Sequence, residues 1–242
     1  MDVSIIITSY NYSQYIEGCI NSCLFQDNTK IKYEVIVVDD GSTDETPQIL
    51  HKFKSKNLKK YRIENSGIEK ASNFGLSKAN GKFIVRVDAD DKLLPTYLCE
   101  IEKYLAFGFD FYYPNYAVID SDDKFIKEVN LLKFDPKEIL NRGDFLATGT
   151  IYSAKILNEF GYYSEQIKNS GLENYELILR LIRNQKIGKH ISQTLFLYRR
   201  HDLNISKKQY KRILNNGNEL FQKLGLGTYS FNKYHPYNPQ EE

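Results

Sequence analysis

Lys82-Phe-Ile-Val-Arg-Val-Asp-Ala-Asp-Asp91 is a short apolar run that ends in three carboxylates within four residues. Gly81 breaks the chain before it, and Lys82 to Val87 reads as a strand. Closely spaced carboxylates at a buried strand's end repel one another unless a cation lies among them. Hard divalent ions such as Mg²⁺ and Mn²⁺ take oxygen ligands and bridge phosphates. An isolated Asp-x-Asp is more often a wet, helix-capping loop, so the residues around this one decide its meaning.

Working outward, the upstream sequence repeats the same arrangement. Ser4 to Thr8 is an apolar run suited to a strand buried on both faces, and Glu34 to Val38 is a second. The second ends in Asp39-Asp40-Gly41-Ser42. Between them Ile16, Cys19, Ile20, Cys23 and Leu24 recur at helical spacing. Thr43 or Asp44 can cap a helix with Pro47 in its first turn. A short strand around Tyr61 to Ile63, a helix over Ile68 to Lys78 and a helix near Pro95 to Phe107 continue the alternation. Alternating strands and helices predict an α/β fold, a mostly parallel sheet with helices on both faces. Ligands of such sheets bind outside the carboxyl ends of the strands, where both acidic clusters lie. Asp40 is assigned to the base or ribose of a nucleotide, while Ser42 and Asp44 suit capping.

Residues 111–206 are less regular. Phe109 to Asp120 and Lys124 to Val129 read as strands around a turn at Ser121-Asp122-Asp123. Asp135-Pro136 opens a short helix, and Glu173 to Gln185 is an amphipathic one. Leu195 to Tyr198 is a strand running into Arg199-Arg200-His201, and Ser206 to Leu224 a helix followed by a loosely held tail. The expected organisation is one domain over 1–206, with a nucleotide-binding half (1–110) and an acceptor half (111–206), then a C-terminal helix and tail over 207–242.

Composition narrows the class. The chain has 242 residues, and its net charge of +2 argues against a general nucleic-acid binder. Three cysteines without metal spacing suggest free thiols in a reducing compartment. No apolar run is long enough to span a bilayer, and the chain starts directly in a strand, which is read as lacking a signal peptide. The expectation is a cytoplasmic protein, at the inner face of the membrane if it touches one. From Arg199 to Lys223 basic residues predominate, read either as a solvated helix face or as a peripheral contact with an anionic surface. No Gly-x-Gly-x-x-Gly follows the first strand and no P-loop occurs, which removes dehydrogenase and P-loop readings. A nucleotidyltransferase would want a Gly-rich, basic loop where Ser9-Tyr10-Asn11-Tyr12 stands.

Ser4-Ile-Ile-Ile-Thr-Ser-Tyr-Asn11, Val37-Val-Asp-Asp-Gly-Ser-Thr-Asp44 and Val87-Asp-Ala-Asp-Asp91, in that order and spacing, resemble the family-2 inverting glycosyltransferases of the GT-A fold. Glu159-Phe-Gly161, Leu172-Glu-Asn-Tyr-Glu-Leu-Ile-Leu-Arg180 and Tyr198-Arg-Arg-His-Asp-Leu-Asn-Ile-Ser206 extend the likeness to about residues 3 to 206. The resemblance implies a GT-A, Rossmann-like sheet. It also implies transfer of a sugar from a nucleoside-diphosphate sugar, UDP-sugars being the commonest expectation, to a glycan or lipid-linked hydroxyl with inversion. Mn²⁺ or Mg²⁺ is the implied cofactor, and bacterial surface-polysaccharide or glycolipid biosynthesis the implied setting.

Residue by residue, the resemblance places Thr8, Tyr10, Asp40 and Asp88 in the nucleotide pocket. It makes Asp90 a metal ligand, with Asp88 and His201 beside the metal and diphosphate, and lets Arg199 and Arg200 favour phosphate charge. Two departures stand out. The family often carries an Arg in its third helix; Ser72 stands there, with Lys70 the nearby cation. The family has Glu-Asp where this chain has Glu173-Asn174, and the Asp is the expected general base. An amide cannot take a proton from an acceptor hydroxyl. Three readings stay open: Glu173 or Glu176 serves as base, the chain is a catalytically impaired nucleotide-sugar-binding protein, or it is an engineered base variant. Position 174 is expected to face the acceptor and to govern the chemical step.

Overall fold

The computed structural model describes residues 1–202, 204–233 and 235. The first half alternates as the apolar pattern requires: β1 (Val3–Ser9), α1 (Ile16–Leu24), β2 (Tyr33–Asp39), α2 (Thr46–Lys52), β3 (Leu58–Arg62), α3 (Ile68–Lys78) and β4 (Phe83–Asp88). There follow β5 (Lys92–Leu93), α4 (Tyr97–Leu105), β6 (Phe111–Ile119), β7 (Phe125–Val129), α5 (Pro136–Arg142), β8 (Ile151–Ser153) and α6 (Ala154–Phe160). The last elements are α7 (Glu173–Arg183), β9 (Gly188–Arg199), α8 (Ile205–Lys208) and α9 (Tyr210–Leu224). Among the described residues no helix is long and apolar enough to cross a membrane.

Among the described residues one sheet of nine strands runs in the order β3-β2-β1-β4-β8-β6-β9-β5, with β7 paired antiparallel to the later part of β6. The strands β3, β2, β1 and β4 are mutually parallel. Short β8 is antiparallel to both β4 and β6, so it restores β6 to the direction of β4, and β9 follows β6 in parallel. The sheet is therefore mostly parallel, as expected. Register matters most at β1, where Thr8 lies opposite Val38 on one side and Asp88 on the other. The carboxyl ends of the three central strands thus open onto one edge.

Period-two alternation sends successive side chains of a strand to opposite faces. Val3, Ile5 and Ile7 pack with Ile16, Cys19, Ile20 and Cys23 of α1 and with Leu98 and Ile101 of α4. Ile6, Ile36 and Val38 face the other way, toward Ala71 and Leu76 of α3 and the cluster holding Ile178 of α7 and Phe221 of α9. Burial of such a side chain is worth roughly 1.5–3 kcal/mol, so both faces hold the sheet. α3 lies close on β1 because Gly75 has no Cβ; one placed there would stand 2.6 Å from Ile6 Cγ2.

Several elements differ from the sequence expectation. The strand expected at Leu195 begins at Gly188, because its polar start is carried by pairing with β6. Polar alternation alone does not mark such a segment. Pro114 sits inside β6 beside a register shift, the place where a sheet tolerates a residue without an N–H. The helix expected over Ser206 to Leu224 is interrupted at Gln209. β5, β8 and α6 are too short to leave a periodic trace. The basic C-terminal stretch is partly engaged: Lys207 pairs with Asp202, Arg212 donates to the Lys168 carbonyl and Lys223 to Gln166.

Buried Glu34 ties β2 to its neighbours. Its Oε1 accepts from Ser4 Oγ at 2.7 Å and from the Asn80 N–H at 2.8 Å, and Lys59 Nζ lies 2.6 Å from Oε2. Burial alone would raise this carboxyl, but Lys59, Ser4 and the Asn80 amide outweigh it and hold it below the ordinary value. A depressed native pKa contributes stability that is complete above the unfolded carboxylate value, about 4.3, and is lost as pH falls through the native one. Glu34→Gln is expected to cost about 1–3 kcal/mol at neutral pH, with the difference from the parent shrinking in acid. Urea unfolding of both proteins at neutral and acidic pH checks this.

Candidate active site

The carboxyl ends of β1 and β4, the start of α7 and the segment after β9 surround a cleft of about 110 Å³. Thr8, Tyr12, Asp88, Asp90, Glu173 and Asn204 are among its lining residues. Thr8 Oγ1 is buried and has no hydrogen-bond partner among the described residues. An unsatisfied buried hydroxyl costs about 1–3 kcal/mol, which a bound polar ligand would recover.

The three aspartates that close β4 have separate fates. Asp88 keeps about a third of its side chain exposed (32%) and accepts from Arg86 Nη2 at 3.2 Å. Burial pushes its carboxyl up to about 6, against the pull of Arg86 and with the repulsion of Asp90 and Glu173. Asp90 is buried, and its Oδ2 meets His201 Nε2 at 2.9 Å and Asn204 Nδ2 at 3.1 Å. Asp91 turns inward, where its Oδ1 accepts the Arg199 N–H at 2.8 Å and burial raises its carboxyl. Tyr12 is likewise raised above its ordinary value by burial and by Asp90, so its hydroxyl remains a donor.

Across the cleft, α7 begins at Glu173. The Glu173 Oε1 accepts from Arg86 Nη2 at 2.7 Å. Arg86 is 4% exposed, reaches Ser72 Oγ at 3.4 Å and stacks its guanidinium 5.0 Å from the Tyr163 ring centre. Arg86 and Tyr12 were not singled out in the sequence. A charged residue inside the apolar run Ile84-Val-Arg-Val87 is the signal that marks Arg86, since Arg is almost never fully buried unpaired.

Other expected residues lie elsewhere. Tyr10 is 45% exposed and outside the cleft lining. Asp40 is buried and turned away: its Oδ1 accepts from the Ser66 N–H at 2.8 Å and its Oδ2 from the Gly67 N–H at 2.9 Å. It braces the loop before α3, and the lining does not include it. Lys70 is exposed on α3, outside the lining, and the guanidinium beside Ser72 comes from β4 instead. Arg199 is not placed to meet phosphate. It is 2% exposed, and its donors go to the Asp90 carbonyl at 2.7 Å, the Asp120 carbonyl at 2.8 Å and Asp123 at 2.6 Å.

Asn174 also departs from expectation. Successive helical residues are about 100° apart, so when Glu173 faces the cleft its neighbour faces the core. Asn174 Oδ1 accepts from the Tyr152 hydroxyl at 2.7 Å, and its Nδ2 donates to the carbonyls of Phe145 at 2.8 Å and Leu146 at 2.9 Å. Position 174 therefore points into the core and is outside the cleft lining.

The donor set suits a hard divalent ion. Asp90 and His201 are already paired, and Asp88 stands two residues away at the same strand end. Among the described residues no three His, Cys, Asp or Glu side chains are gathered as a complete metal site. Carboxylate oxygens with one imidazole fit Mn²⁺ or Mg²⁺ when a ligand's phosphates supply further oxygens.

Comparison with known proteins gives a consistent picture. The family model described as Glycosyl transferase family 2 matches residues 4–204. The minor teichoic acid biosynthesis protein GgaA of Bacillus subtilis is 30% identical over 257 residues, covering 96% of this chain and 55% of that protein. Staphylococcus aureus TarS, a poly(ribitol-phosphate) β-N-acetylglucosaminyltransferase, is 44% identical over 94 residues, covering 38% of this chain and 16% of that protein. The crystal structure of TarS 1–349 with UDP-GlcNAc superposes with a TM-score of 0.74 at 23% identity, over 93% of this chain and 66% of that one. The mannosyltransferase PcManGT of Pyrobaculum calidifontis, in complex with GDP-Man and Mn²⁺, gives 0.70 at 18% identity, over 97% of this chain and 67% of that one. The structural likeness shows the GT-A fold. The chain spans about half of GgaA, and in structure about half of the TarS chain.

Replacing the Asn174 amide by a carboxylate removes the side-chain donor to the buried Phe145 carbonyl and one of two to the Leu146 carbonyl, which keeps the Thr150 hydroxyl, and places negative charge against both. Asn174→Asp is therefore expected to destabilise by about 1–3 kcal/mol for each group left unsatisfied, without a gain in turnover. Thermal unfolding beside a transfer assay distinguishes this from a base restored at position 174.

Proposed function

Starting from glycosyl transferase family 2, to which the chain belongs, we propose that it moves a sugar from a UDP-sugar to a hydroxyl of a glycan or lipid-linked acceptor, with inversion. The observation that carries the proposal is the meeting, in one cleft, of Asp88 and Asp90, the latter bonded to His201, with Glu173 on the opposite wall. TarS, with UDP-GlcNAc, and PcManGT, with GDP-Man and Mn²⁺, support a nucleoside-diphosphate sugar as donor. The unpartnered Thr8 hydroxyl and the Tyr12 donor supply polar contacts to the nucleotide end.

In the proposed reaction Glu173 accepts the proton of the acceptor hydroxyl. The freed oxygen forms its bond to the anomeric carbon on the face opposite the diphosphate. The bond from that carbon to the diphosphate oxygen breaks, and its electron pair leaves with UDP. Arg86 orients the Glu173 carboxylate through the 2.7 Å bond to Oε1. Asp88, Asp90 and His201 would hold Mn²⁺ or Mg²⁺, which supplies positive charge to the leaving diphosphate. Asn174 lies in the core, so its amide gives no ground for reading the chain as a donor-binding protein without catalysis.

Two measurements test this reading. UDP should bind more tightly with Mn²⁺ than with chelator in calorimetry, and Asp90→Ala should remove the difference; equal affinity in both conditions would count against metal-bridged binding. Glu173→Gln should lower turnover by about 10²–10⁴-fold, the usual worth of general-base help, while leaving UDP affinity within a few-fold. Full transfer by this variant would place the base elsewhere.

A further inference from the structure

Behind Glu173 a second cavity, of about 290 Å³, opens between the start of α7, the segment 164–172 and α9. It is at the lower end of the roughly 300–1,000 Å³ range of small-molecule sites. Ser164, Gln166, Leu172, Glu173, Asn216 and Glu219 line it, and Glu173 also lines the donor cleft. Glu173 therefore borders both spaces. α9, which forms the far wall, lies beyond the 4–204 stretch matched by the family model.

We propose that this cavity seats the acceptor, and that the residue it takes is an uncharged, hydroxyl-rich sugar or polyol, with α9 as the element that selects it. The proposal rests on Glu173 being the base, as above. Its lining carries three carboxylates, Glu173, Glu176 and Glu219, against one ammonium, Lys223. The nearby guanidiniums donate elsewhere, Arg183 to the Leu224 carbonyl and Arg212 to the Lys168 carbonyl and Gln209. Arg86 holds Glu173 and Asp88, and Arg180 grips Glu176 at 3.1 and 3.0 Å while donating to the carbonyls of Phe160, Gly161 and Tyr162. Lys223 donates to Gln166. A phosphate or uronate here would meet carboxylates without a bidentate cationic partner, the arrangement that recognises such anions. Neutral hydroxyls both donate and accept, and Ser164, Gln166, Asn216 and the carboxylates offer both complements. Asn216 is fixed by its bond to the Ser170 carbonyl at 2.8 Å, so its carboxamide is pre-oriented. Leu172, Leu220 and Leu224 supply apolar surface for the C–H face of a ring.

The test uses the full chain with saturating UDP-sugar and Mn²⁺, and acceptors that differ only in charge: a neutral oligosaccharide or alditol, and the same molecule with a phosphate or uronate in its terminal residue. The neutral form is expected to have the lower KM. Glu219→Lys, a change at an exposed position, is expected to raise the KM for the neutral acceptor by about tenfold, the equivalent of one good hydrogen bond, and to narrow the gap to the charged one. Gln166→Ala should also raise the neutral KM, and UDP affinity by calorimetry should stay the same in both variants. Preference for the charged acceptor by the parent, or an unmoved acceptor KM in both variants, would overturn the assignment while leaving the donor chemistry intact. A parent chain that neither binds UDP nor releases it from a donor would instead overturn the reading on which the assignment rests.

Discussion

The guanidinium of Arg86 is the interaction on which the site depends. It sits at 4% exposure between Glu173 at 2.7 Å and Asp88 at 3.2 Å. A buried charge persists only when paired and hydrogen-bonded, and removing one partner of such a pair costs about 3–5 kcal/mol. Burial works against the charged form of Arg86, and Asp88, Tyr163 and Glu173 more than offset it. The consequence is geometric. Glu173 opens a helix of the second half, and Asp88 ends a strand of the first. One side chain therefore fixes the distance between the carboxylate proposed as base and the carboxylates proposed to hold metal.

Two further sets of contacts keep that distance. α3 is stitched to the segment that leads into α7: Glu69 accepts from the N–H groups of Asn169 at 2.9 Å and Ser170 at 2.7 Å, and Asn73 Nδ2 donates to the Tyr163 carbonyl at 2.9 Å. On the other side Arg199 binds the end of β9 to the β4 loop through the Asp90 carbonyl and to the β6–β7 turn through Asp123. That brace carries His201 to Asp90. Arg199 and Asp91 act on the cleft through their neighbours and do not line it.

Much of the fold was legible because apolar alternation and strand-end acidic clusters are local signals. β1, β2 and β4 stand where the apolar runs are, and the joint order of the motifs led to the family. The site was legible in part. Asp88, Asp90, Thr8 and Glu173 line the cleft, and His201 meets Asp90, yet Asp40, Tyr10, Lys70 and Asn174 do not line it. A motif gives positions along the chain but not the rotation of a helix or the partner of a carboxylate. Asp40 shows the difference: the loop at 65–67 folds back over it and takes both oxygens, and nothing near Asp40 in sequence announces that. β8 escaped notice for a related reason. Three residues have no period, and only their pairing with β4 and β6 makes them a strand.

The two departures from the family pattern are connected through space. Ser72 stands where the resemblance implies an Arg, and it leaves room beside α3 that a side chain from β4 enters: Arg86 Nη1 reaches Ser72 Oγ at 3.4 Å. With a guanidinium at that point, the carboxylate opening α7 is drawn toward the strand end, which sets the rotation of the helix. Once Glu173 is so held, helical geometry carries position 174 toward the core, among Tyr152 and the carbonyls of Phe145 and Leu146. The Leu146 carbonyl also accepts from Thr150 Oγ1 at 2.8 Å, but the Phe145 carbonyl takes its side-chain donor from this amide, which a carboxylate cannot replace. Ser72, Arg86, Glu173 and Asn174 thus belong to one connected set of contacts. The amide at 174 serves that arrangement as acceptor from Tyr152 and donor to Phe145, whatever group removes the proton.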